Sequence, residues 1–581
     1  MNIRRNLYCD VAIIGGGPGG STAGSILKKY NPDLNVMIFE REQFPRDHIG
    51  ESLLPRVNEV LRELEVWDNI EAANFPVKIG ATYKWGSKPG LWNFDFLPSG
   101  KFIDEPRPAK FDGQRRNTAF QVDRSRYDQI LLDKSREWGC DVFEGMKISK
   151  VHRDPASPNR ILALQLDDGS DVRATSYIDA SGNAATIRRA MDVPVELPTE
   201  LQNIAIWDYW QNAEWAVEIG VGGTRIQVMS LGYGWIWFIP IGPTRTSIGL
   251  VIPATYYKQS ARKPEDLYSK ALASEPRISE LIANAHREQQ LTSTKDWSFV
   301  ASRWTGENWF LVGEAGGFAD PILSAGISLT QTSAREAAYV ILELERRRHD
   351  PEFLKCNYER EQIKRVRQHM KFAEFWYSSN GQFTDLKEFC STIAESSGLT
   401  LNADDAFQWL GTGGFANDTL GVAGLGGFSI EAIKLVLQRL TKTHANWEIG
   451  THNVFKFNVE GAEKGKYAAY FDGEIILEDA LIRGNLELPF TGLFGVVIQA
   501  VHQSPLITDH AQFFLSYFRE NPWLPDINDS VRFCFHTLEA MVAMGWISAS
   551  IDRTKPALRF DSPDQTACIF DEIPPTVGVS Y

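Results

Sequence analysis

The chain has 581 residues and a formal net charge of −14; 43% of its residues are hydrophobic and 23% are charged. This length allows several domain-sized units, and the acidic balance argues against a nucleic-acid binder, which usually carries a basic surface. No run of about 18 apolar residues predicts a membrane-spanning helix, so we expect no membrane association. The six cysteines are scattered without a CxxC pair, which favours reduced thiols in a cytoplasmic protein and predicts no metal site.

The N-terminus has the pattern of a βαβ unit. An apolar run over 9–14 predicts a buried strand, and a helix and a second strand over 35–40 follow it. Between the first strand and the helix, Gly15, Gly17 and Gly20 form a G-x-G-x-x-G motif. The first glycine allows a tight turn, the second lets the backbone approach a pyrophosphate, and the third lets helix and strand pack closely.

Glu40 strengthens this prediction. It ends the second strand, twenty residues after Gly20, where a carboxylate can hold the hydroxyls of a ribose. The alternative is a glycine turn that serves packing alone. We therefore predict a dinucleotide site, and at this point both NAD and FAD fit it.

Later segments predict a second sheet and an appended region. Aromatic and β-branched residues with interspersed glycines indicate strands over 80–96 and 207–253. Further strands are predicted over 177–180 and 309–312, and a helix over 333–348. From about residue 355 the pattern changes to charged and amphipathic helices, mixed with short strand-like runs.

Several motifs between residues 8 and 350 resemble those of flavin-dependent halogenases, within the class of FAD aromatic monooxygenases. They are Glu40–Arg41, Phe44–Arg46, Gly50–Pro55, Gln121–Asp128, Asp179–Gly182 and Gly313–Pro321. The family usually has Gly-Asp where this chain has Gly313-Glu314, so Glu314 would reach the cofactor on a longer arm. The resemblance implies FAD, with these cofactor-binding residues: Gly15, Gly17, Gly20, Glu40, Arg41, Ser52, Arg124, Asp179, Glu314, Asp320 and Gly326.

The resemblance also implies the architecture. We expect an α/β fold, in which residues 1–355 form a Rossmann-like FAD-binding domain with an inserted antiparallel-sheet substrate domain. The substrate sheet would come from about 76–115 and 195–295. Residues 356–581 would form a mostly helical C-terminal domain that covers the substrate site.

The segment Gly234–Pro240 matches the halogenase W-x-W-x-I-P motif. Trp235 and Trp237 are two residues apart, so on a strand they face the same side. We call this pair the tryptophan wall. In the family such a wall keeps the organic substrate away from the flavin, so that halide and not substrate meets the oxidant formed from reduced flavin and O2. The alternative is that both indoles only fill the core.

Lys78 matches the position of the family's catalytic lysine. Its neighbours Ile79, Gly80 and Ala81 carry no charge, so we expect desolvation to lower the pKa of its amine. Such a lysine can hold hypohalous acid by hydrogen bonding or be halogenated to a haloamine. The alternative is an ordinary surface lysine. Lys84, in the same segment, is the comparison and is expected to face solvent.

Two further sites are implied by the resemblance. Backbone N–H groups of Ser324, Ala325 and Gly326 would bind a halide beside the flavin. Asp296 lies where some relatives attach flavin covalently, although a loop aspartate bonded to backbone is the simpler interpretation. The glutamate that assists the lysine in tryptophan-type halogenases has no counterpart that we can place, which favours the branch acting on phenols, pyrroles or carrier-tethered acyl groups.

The sequence thus predicts an FADH2-dependent halogenase of secondary-metabolite biosynthesis that uses chloride or bromide. No second dinucleotide motif is present, so a separate NAD(P)H-flavin reductase would supply reduced FAD. The substrate would be a small molecule or a group bound to an acyl-carrier protein. The alternatives are an FAD hydroxylase or lipid-type reductase on the same fold, or a flavin-bearing interaction module without chemistry.

Overall fold

The computed structural model describes residues 6–86, 90–96, 102–103, 105–197, 199–220, 222–397, 424–425, 428–441, 446–522, 527–558 and 568–571. The chain divides into two compact units, one of Met1–Ser397 with Asp472–Glu474 and one of Gly398–Phe471 with Ile475–Tyr581. This boundary differs from the one expected at 355, because the long helix over Pro351–Ser378 packs on elements of the first unit.

The strands of the first unit are short to medium in length and most are buried. In chain order they are β1 (Asn6–Ile14), β2 (Val36–Glu40), β3 (Val77–Lys84), β4 (Trp92–Asp95), β5 (Ala119–Phe120), β6 (Asp141–Glu144), β7 (Ile148–Arg153), β8 (Ile161–Leu166), β9 (Asp171–Asp179), β10 (Val195–Glu196), β11 (Gln202–Gln211), β12 (Gly223–Leu231), β13 (Gly234–Pro240), β14 (Arg245–Pro253), β15 (His286–Arg287), β16 (Thr292–Trp297), β17 (Phe299–Ala301), β18 (Trp309–Leu311) and β19 (Gly317–Phe318).

The helices of the first unit alternate with these strands. They are α1 (Pro18–Tyr30), α2 (Val57–Glu63), α3 (Trp67–Ala72), α4 (Arg124–Glu137), α5 (Thr186–Ala190), α6 (Ala254–Ser260), α7 (Pro264–Ser274), α8 (Pro276–Leu281), α9 (Gly326–Arg346), α10 (Pro351–Ser378) and α11 (Lys387–Ser397). Helix α9 begins seven residues earlier than the sequence predicts, because small polar residues precede its apolar stripe.

The first sheet is the predicted nucleotide-binding sheet. Its strand order is β6-β2-β1-β9-β8-β7, with β18 beside β9. Strand β1 lies in the middle and pairs in parallel with β2 and β9, so its last four residues are fully buried apolar side chains. Helix α1 follows β1 directly and packs on α9 and α4. The turn between β1 and α1 therefore lies at the carboxyl edge of a parallel sheet, where nucleotide sites form.

The second sheet runs in the order β15-β11-β14-β13-β12-β3-β4, and β16 and β5 pair with β11 and β3. It is mixed and not purely antiparallel, because β3 pairs with β12 in parallel. The apolar face of its centre packs on α7 and α8 through buried aliphatic and aromatic side chains. The opposite face carries the tryptophan wall.

A β-bulge changes the direction of one side chain in this sheet. Thr224 pairs with Lys78 and the next residue, Arg225, pairs with Gly80, so Ile79 is an extra residue in β3. A bulge turns the following side chains to the other face of the sheet. Lys78 therefore shares the face of Thr224, whereas Gly80 shares the face of Arg225.

The face of Lys78 is also the face of the tryptophan wall. Side chains alternate along β12, so Thr224 faces the same way as Val228 and Ser230. These two residues pair with Trp237 and Trp235. On the other face Arg225 forms a bidentate ion pair with Asp95, at 2.6 and 2.7 Å.

The second unit contains helices and small antiparallel sheets. Its described elements are β20 (Gly424–Leu425), β21 (Phe428–Ser429), α12 (Ile430–Thr441), α13 (Glu448–Thr451), β22 (Val454–Phe457), β23 (Glu463–Phe471), β24 (Glu474–Arg483), β25 (Leu486–Pro489), α14 (Gly492–Gln503), α15 (Ile507–Glu520), α16 (Ile527–Ala543), β26 (Ile547–Ser550) and β27 (Cys568–Asp571). A buried ion pair between Lys434 and Glu539 (2.6 Å) joins α12 to α16. The same carboxylate accepts the N–H groups of Glu448 and Ile449 at the start of α13.

Two negative findings apply to the described ranges. No helix there is long and apolar enough to cross a membrane. No three His, Cys, Asp or Glu side chains in the same ranges are grouped as they would be around a metal ion.

Gly249 offers a test of how the Trp237 ring of the tryptophan wall packs on the neighbouring strand. It pairs with Trp237, and a Cβ at this position would lie 2.1 Å from the indole ring. We expect Gly249→Ala to lower the free energy of unfolding by about 1–3 kcal/mol through overpacking. Gly242→Ala, in the β13–β14 turn, is the control, because its Cβ would meet only an ordinary contact at 3.8 Å. Denaturant unfolding of both variants measures the difference, and equal stability would contradict the proposed packing.

Candidate active site

The glycine turn has the geometry that a dinucleotide needs. Gly15 has φ +100°, and a Cβ there would lie 2.4 Å from the Ala180 carbonyl oxygen. A Cβ on Gly20 would lie 1.9 Å from the Gly15 carbonyl oxygen. Gly17 precedes α1 without a side-chain cap, so the first N–H groups of the helix are available for a phosphate.

Glu40 and Arg41 lie beside this turn with different exposure. The Glu40 carboxylate accepts the Gly16 N–H at 2.7 Å and the Glu42 N–H at 2.9 Å, so it holds the turn in place. Arg41 is exposed and forms a 3.2 Å ion pair with Glu42. A binding role for both stays a prediction.

Arg46 is a candidate that sequence reasoning missed. Its guanidinium lies 3.4 Å from where a Cβ on Gly17 would be, and Nη1 contacts the Asp128 carboxylate at 3.1 Å. A guanidinium at the start of α1 suits a pyrophosphate, because arginine presents several donors in a fixed fork. The signal in the sequence is the position of Arg46, six residues after Glu40 and within the Phe44–Arg46 motif that resembles flavin-dependent halogenases.

Two buried polar side chains without hydrogen-bond partners lie in segments that resemble flavin-binding motifs. Ser52 forms a backbone bridge with Gln121, and neither the Ser52 hydroxyl nor the Gln121 amide has a hydrogen-bond partner. Such groups are costly unless something bonds them. These missing hydrogen bonds and the glycine turn together fit FAD.

Arg124 and Glu51 lie next to these groups. Arg124 binds Asp128 through two nitrogens, at 2.7 and 2.9 Å, and donates to the Ile49 carbonyl oxygen at 2.7 Å. Glu51 is 1% exposed, and burial raises its pKa to about 7, although Ser247 and Tyr209 oppose this rise. Neither carboxylate oxygen of Glu51 completes a well-directed hydrogen bond. Glu51 was not among the predicted site residues, but its buried carboxyl makes it a further candidate for the site.

Asp179 stabilises its own turn. Its carboxylate accepts bonds from the Ser181 hydroxyl (2.6 Å) and from the N–H of Ile187 (2.7 Å) at the start of α5. Burial still raises the pKa of Asp179. The geometry gives this residue a structural role, and its cofactor contact stays a prediction.

Lys78 is buried, and among the described residues its amine has one polar contact. It is 2% exposed, its Nζ donates to the Leu53 carbonyl oxygen at 3.0 Å, and the Phe96 ring centroid lies 5.6 Å away. Burial lowers the pKa of its amine to about 7. Lys84 differs: it is partly exposed and pairs with Glu275 at 2.7 Å. Two lysines of one strand thus have opposite environments, as the sequence suggested.

The two indoles of the tryptophan wall lie side by side, with centroids 6.2 Å apart. Both are buried. Trp207 extends this face beyond Trp237, at 6.5 Å, and Trp85 extends it beyond Trp235, at 6.3 Å. The face is therefore aromatic over four side chains, which is more than the two that the motif predicts.

The last flavin motif and the predicted halide turn line one small cavity. Glu314, Asp320, Ala325 and Gly326 all contribute to its wall, and Ser324 lies in the turn with φ +55°. Gly326 opens α9, and a Cβ there would meet nothing within 4 Å. Burial raises the pKa of the Glu314 carboxyl. Four of these residues line one cavity, and their ligands stay predictions.

The backbone of Asp296 lies in β16 and pairs with Asn203. The side chain of Asp296 lies outside the described residues. The covalent flavin link stays a prediction.

A family model and several known proteins match this chain. The model of the family described as tryptophan halogenase matches residues 10–117 and 97–385. Tryptophan 2-halogenase of Chondromyces crocatus is 32% identical over 333 residues, which are 56% of this chain and 60% of that protein. The 1H-pyrrole-2-carbonyl-(peptidyl-carrier protein) chlorinase of Pseudomonas fluorescens is 32% identical over 346 residues, which are 58% of this chain and 76% of that protein.

Solved structures extend the likeness to the fold. CmlS, a flavin-dependent halogenase, superposes with a TM-score of 0.70 and covers 97% of this chain and 100% of its own, at 22% identity. At that identity the likeness shows the fold alone. The myxobacterial chondrochloren halogenase reaches a TM-score of 0.57 at 25% identity and covers 75% of this chain and 97% of its own.

Arg46 offers a test of the pyrophosphate position. We expect Arg46→Gln to weaken FAD binding by roughly 10- to 100-fold, because a charge-assisted hydrogen bond to a phosphate is lost. Arg62→Gln is the control, since Arg62 is exposed and forms its ion pair with Glu59 of the same helix, α2. Fluorescence titration with FAD measures both dissociation constants. An unchanged constant for Arg46→Gln would remove Arg46 from the site.

Proposed function

Since the chain belongs to the tryptophan halogenase family of flavin-dependent halogenases, we propose that it halogenates an organic substrate through Lys78. The observation that carries this proposal is the buried Lys78 amine, turned by a β-bulge onto the face of the tryptophan wall. An amine with no charged partner among the described residues contributes little to the structure, but it can react with an electrophile.

The two sides of the wall have separate tasks in this proposal. Reduced FAD, when bound, would react with O2 and a halide and so supply hypohalous acid. The glycine turn, Arg46 and Ser52 would hold FAD, and the turn at Ser324–Gly326 would hold the halide at the N-terminus of α9. Trp235 and Trp237 would keep the substrate from the flavin.

Lys78 would carry the halogen to the substrate. Its neutral amine attacks the halogen of hypohalous acid, forming an N–X bond and releasing water. The aromatic carbon of the substrate then takes the halogen, and the electron pair of the N–X bond stays on the nitrogen. The nitrogen takes up the proton that the aromatic carbon loses. This regenerates Lys78, and the sum is one substrate hydrogen replaced by halogen.

The substrate class is inferred from the relatives. One of them chlorinates and another brominates pyrrole carried on a peptidyl-carrier protein. We therefore favour a phenolic, pyrrolic or carrier-tethered substrate, in secondary-metabolite biosynthesis. A separate NAD(P)H-flavin reductase would supply FADH2. The aligned region spans 60% of the tryptophan 2-halogenase of Chondromyces crocatus. The substrate and partners of the whole protein are therefore part of this proposal.

Replacement of Lys78 is the direct test. Purified protein is supplied with FADH2, O2, chloride or bromide, and a panel of free and carrier-bound phenols and pyrroles. We expect Lys78→Ala to lower the halogenation rate at least about 1,000-fold, since the amine that accepts the halogen is gone, while flavin reoxidation continues. Lys84→Ala is the matched control from the same strand and should halogenate normally. Full halogenation by Lys78→Ala would exclude the proposed route.

The pH dependence tests the protonation state of Lys78. With a pKa of about 7, half of the amine is neutral near pH 7, and the neutral form is the nucleophile. Single-turnover halogenation should therefore fall about tenfold per pH unit well below 7 and level off above 8. Flavin reoxidation, followed by absorbance, separates this effect from oxidant formation. A rate that falls above pH 7 would instead indicate an ammonium that hydrogen-bonds hypohalous acid.

Product analysis separates the alternatives. Mass spectrometry that finds an oxygenated product without halide dependence would support an FAD hydroxylase. A halide-dependent product carrying chlorine or bromine would support the halogenase and exclude a flavin-bearing module without chemistry.

A further inference from the structure

Tyr377 connects the tryptophan wall to a part of the protein outside its sheet. It lies in the last turn of α10 and is buried. The Trp235 indole N–H donates to the Tyr377 hydroxyl oxygen at 2.8 Å. A buried indole N–H needs such a partner, and here a helix 142 residues away supplies it.

The Tyr377 hydroxyl continues to Asp320. It donates to Asp320 Oδ1 at 3.3 Å, and the Asn203 amide donates to Oδ2 at the same distance. The Asn203 amide also lies 3.3 Å from the Tyr377 hydroxyl oxygen. Three buried polar side chains thus form one closed network beside Trp235. Burial raises the pKa of Asp320 to about 7, although Tyr377 and Asn203 oppose this rise.

Asp320 in turn shapes the predicted halide turn. Its Oδ1 accepts the Ile322 N–H at 2.9 Å and so caps the 3-10 turn Pro321–Leu323. This turn places Ser324 in the left-handed region and leads into α9. The hydrogen-bonded path from Trp235 therefore ends at the backbone that precedes the halide position.

The second indole of the wall has a different partner. Trp237 Nε1 donates to the Ser247 hydroxyl at 3.1 Å; Ser247 belongs to β14, next to β13 in the same sheet, and lies beside the Glu51 carboxyl. The two indoles of the wall thus have comparable partners, and the network at Trp235 leads through Asp320 to the turn at Ser324.

We propose that Tyr377 is a positioning residue that couples the Trp235 side of the wall to the halide turn, so that halide affinity depends on the seating of the indole. The proposal rests on the proposed function, because it gives the turn a halide to bind. It adds a residue of α10 that the W-x-W-x-I-P and flavin motifs do not contain.

The test compares Tyr377→Phe with Ser247→Ala in the FAD-loaded enzyme. Each variant removes the partner of one wall indole, and the phenyl ring keeps the packing of Tyr377 on Trp85 and Phe383. We expect Tyr377→Phe to raise the KM for chloride about tenfold, the effect of one lost bond in a network that includes a carboxyl group, with a smaller change in kcat. Ser247→Ala should leave the chloride KM unchanged.

A readout without turnover accompanies the kinetics. Protein with 5-fluorotryptophan is titrated with sodium chloride at constant ionic strength, and the 19F resonance of Trp235 is assigned through Trp235→Phe. In the wild type this resonance should shift with chloride, and in Tyr377→Phe the shift should be lost or displaced to about tenfold higher chloride. Asp320→Asn, which alters the same link from its other end, should act in the same direction and replaces Tyr377→Phe if that variant does not fold.

The outcomes separate this inference from the proposed function. A wild type that gives no halide-dependent product would overturn the proposed function itself. A wild type that halogenates, together with a Tyr377→Phe variant of unchanged chloride KM and unchanged fluorine shift, would overturn only the coupling. An equal rise in chloride KM for Ser247→Ala would also overturn it, because any loosened indole would then have the same effect.

Discussion

Lys78 reaches the face of the tryptophan wall because β3 contains one extra residue, Ile79, opposite Thr224 and Arg225. Strict alternation through this point would turn its side chain toward Arg225, where Asp95 already neutralises a buried cation. On the wall side, within the described part of the chain, the amine contacts the Leu53 carbonyl oxygen and the Phe96 ring. The same amine is thereby buried without a carboxylate, which lowers its pKa to about 7. One insertion thus controls both the direction and the chemistry of the lysine.

The other side of the site is held by the packing of backbone on backbone. Gly15 and Gly20 let β1, α1 and the Asp179–Gly182 turn approach more closely than any side chain would permit. Glu40 and Asp179 use their carboxylates to fix these turns. Ser52, Gln121 and Glu51, by contrast, keep buried polar groups without directed partners. A rigid frame with an unsatisfied polar interior suits a bound ligand that would complete the missing hydrogen bonds.

The tryptophans divide according to their surroundings. Trp235 and Trp237 form the wall, and Trp207 and Trp85 prolong it on either side. Trp376, in α10, is buried against Trp85 and Trp92. Aromatic side chains of α10 therefore pack on the same aromatic face as the wall. This explains why α10, which begins at residue 351, belongs to the first unit although the sequence pattern changes at about 355.

The sequence by itself determined the βαβ start, the glycine turn, the pairing of Trp235 with Trp237, and the positions of Lys78 and the Ser324–Gly326 turn. These features depend on local periodicity and on motifs that are contiguous in the chain, and so they can be recognised without coordinates. Tertiary structure decided the rest. The bulge at Ile79 depends on a register between strands about 145 residues apart, and Tyr377 meets Trp235 only because α10 packs beside the second sheet. Burial of Lys78, Glu51 and Asp320 is likewise a property of the packed chain, because only neighbours from distant segments remove water from these groups.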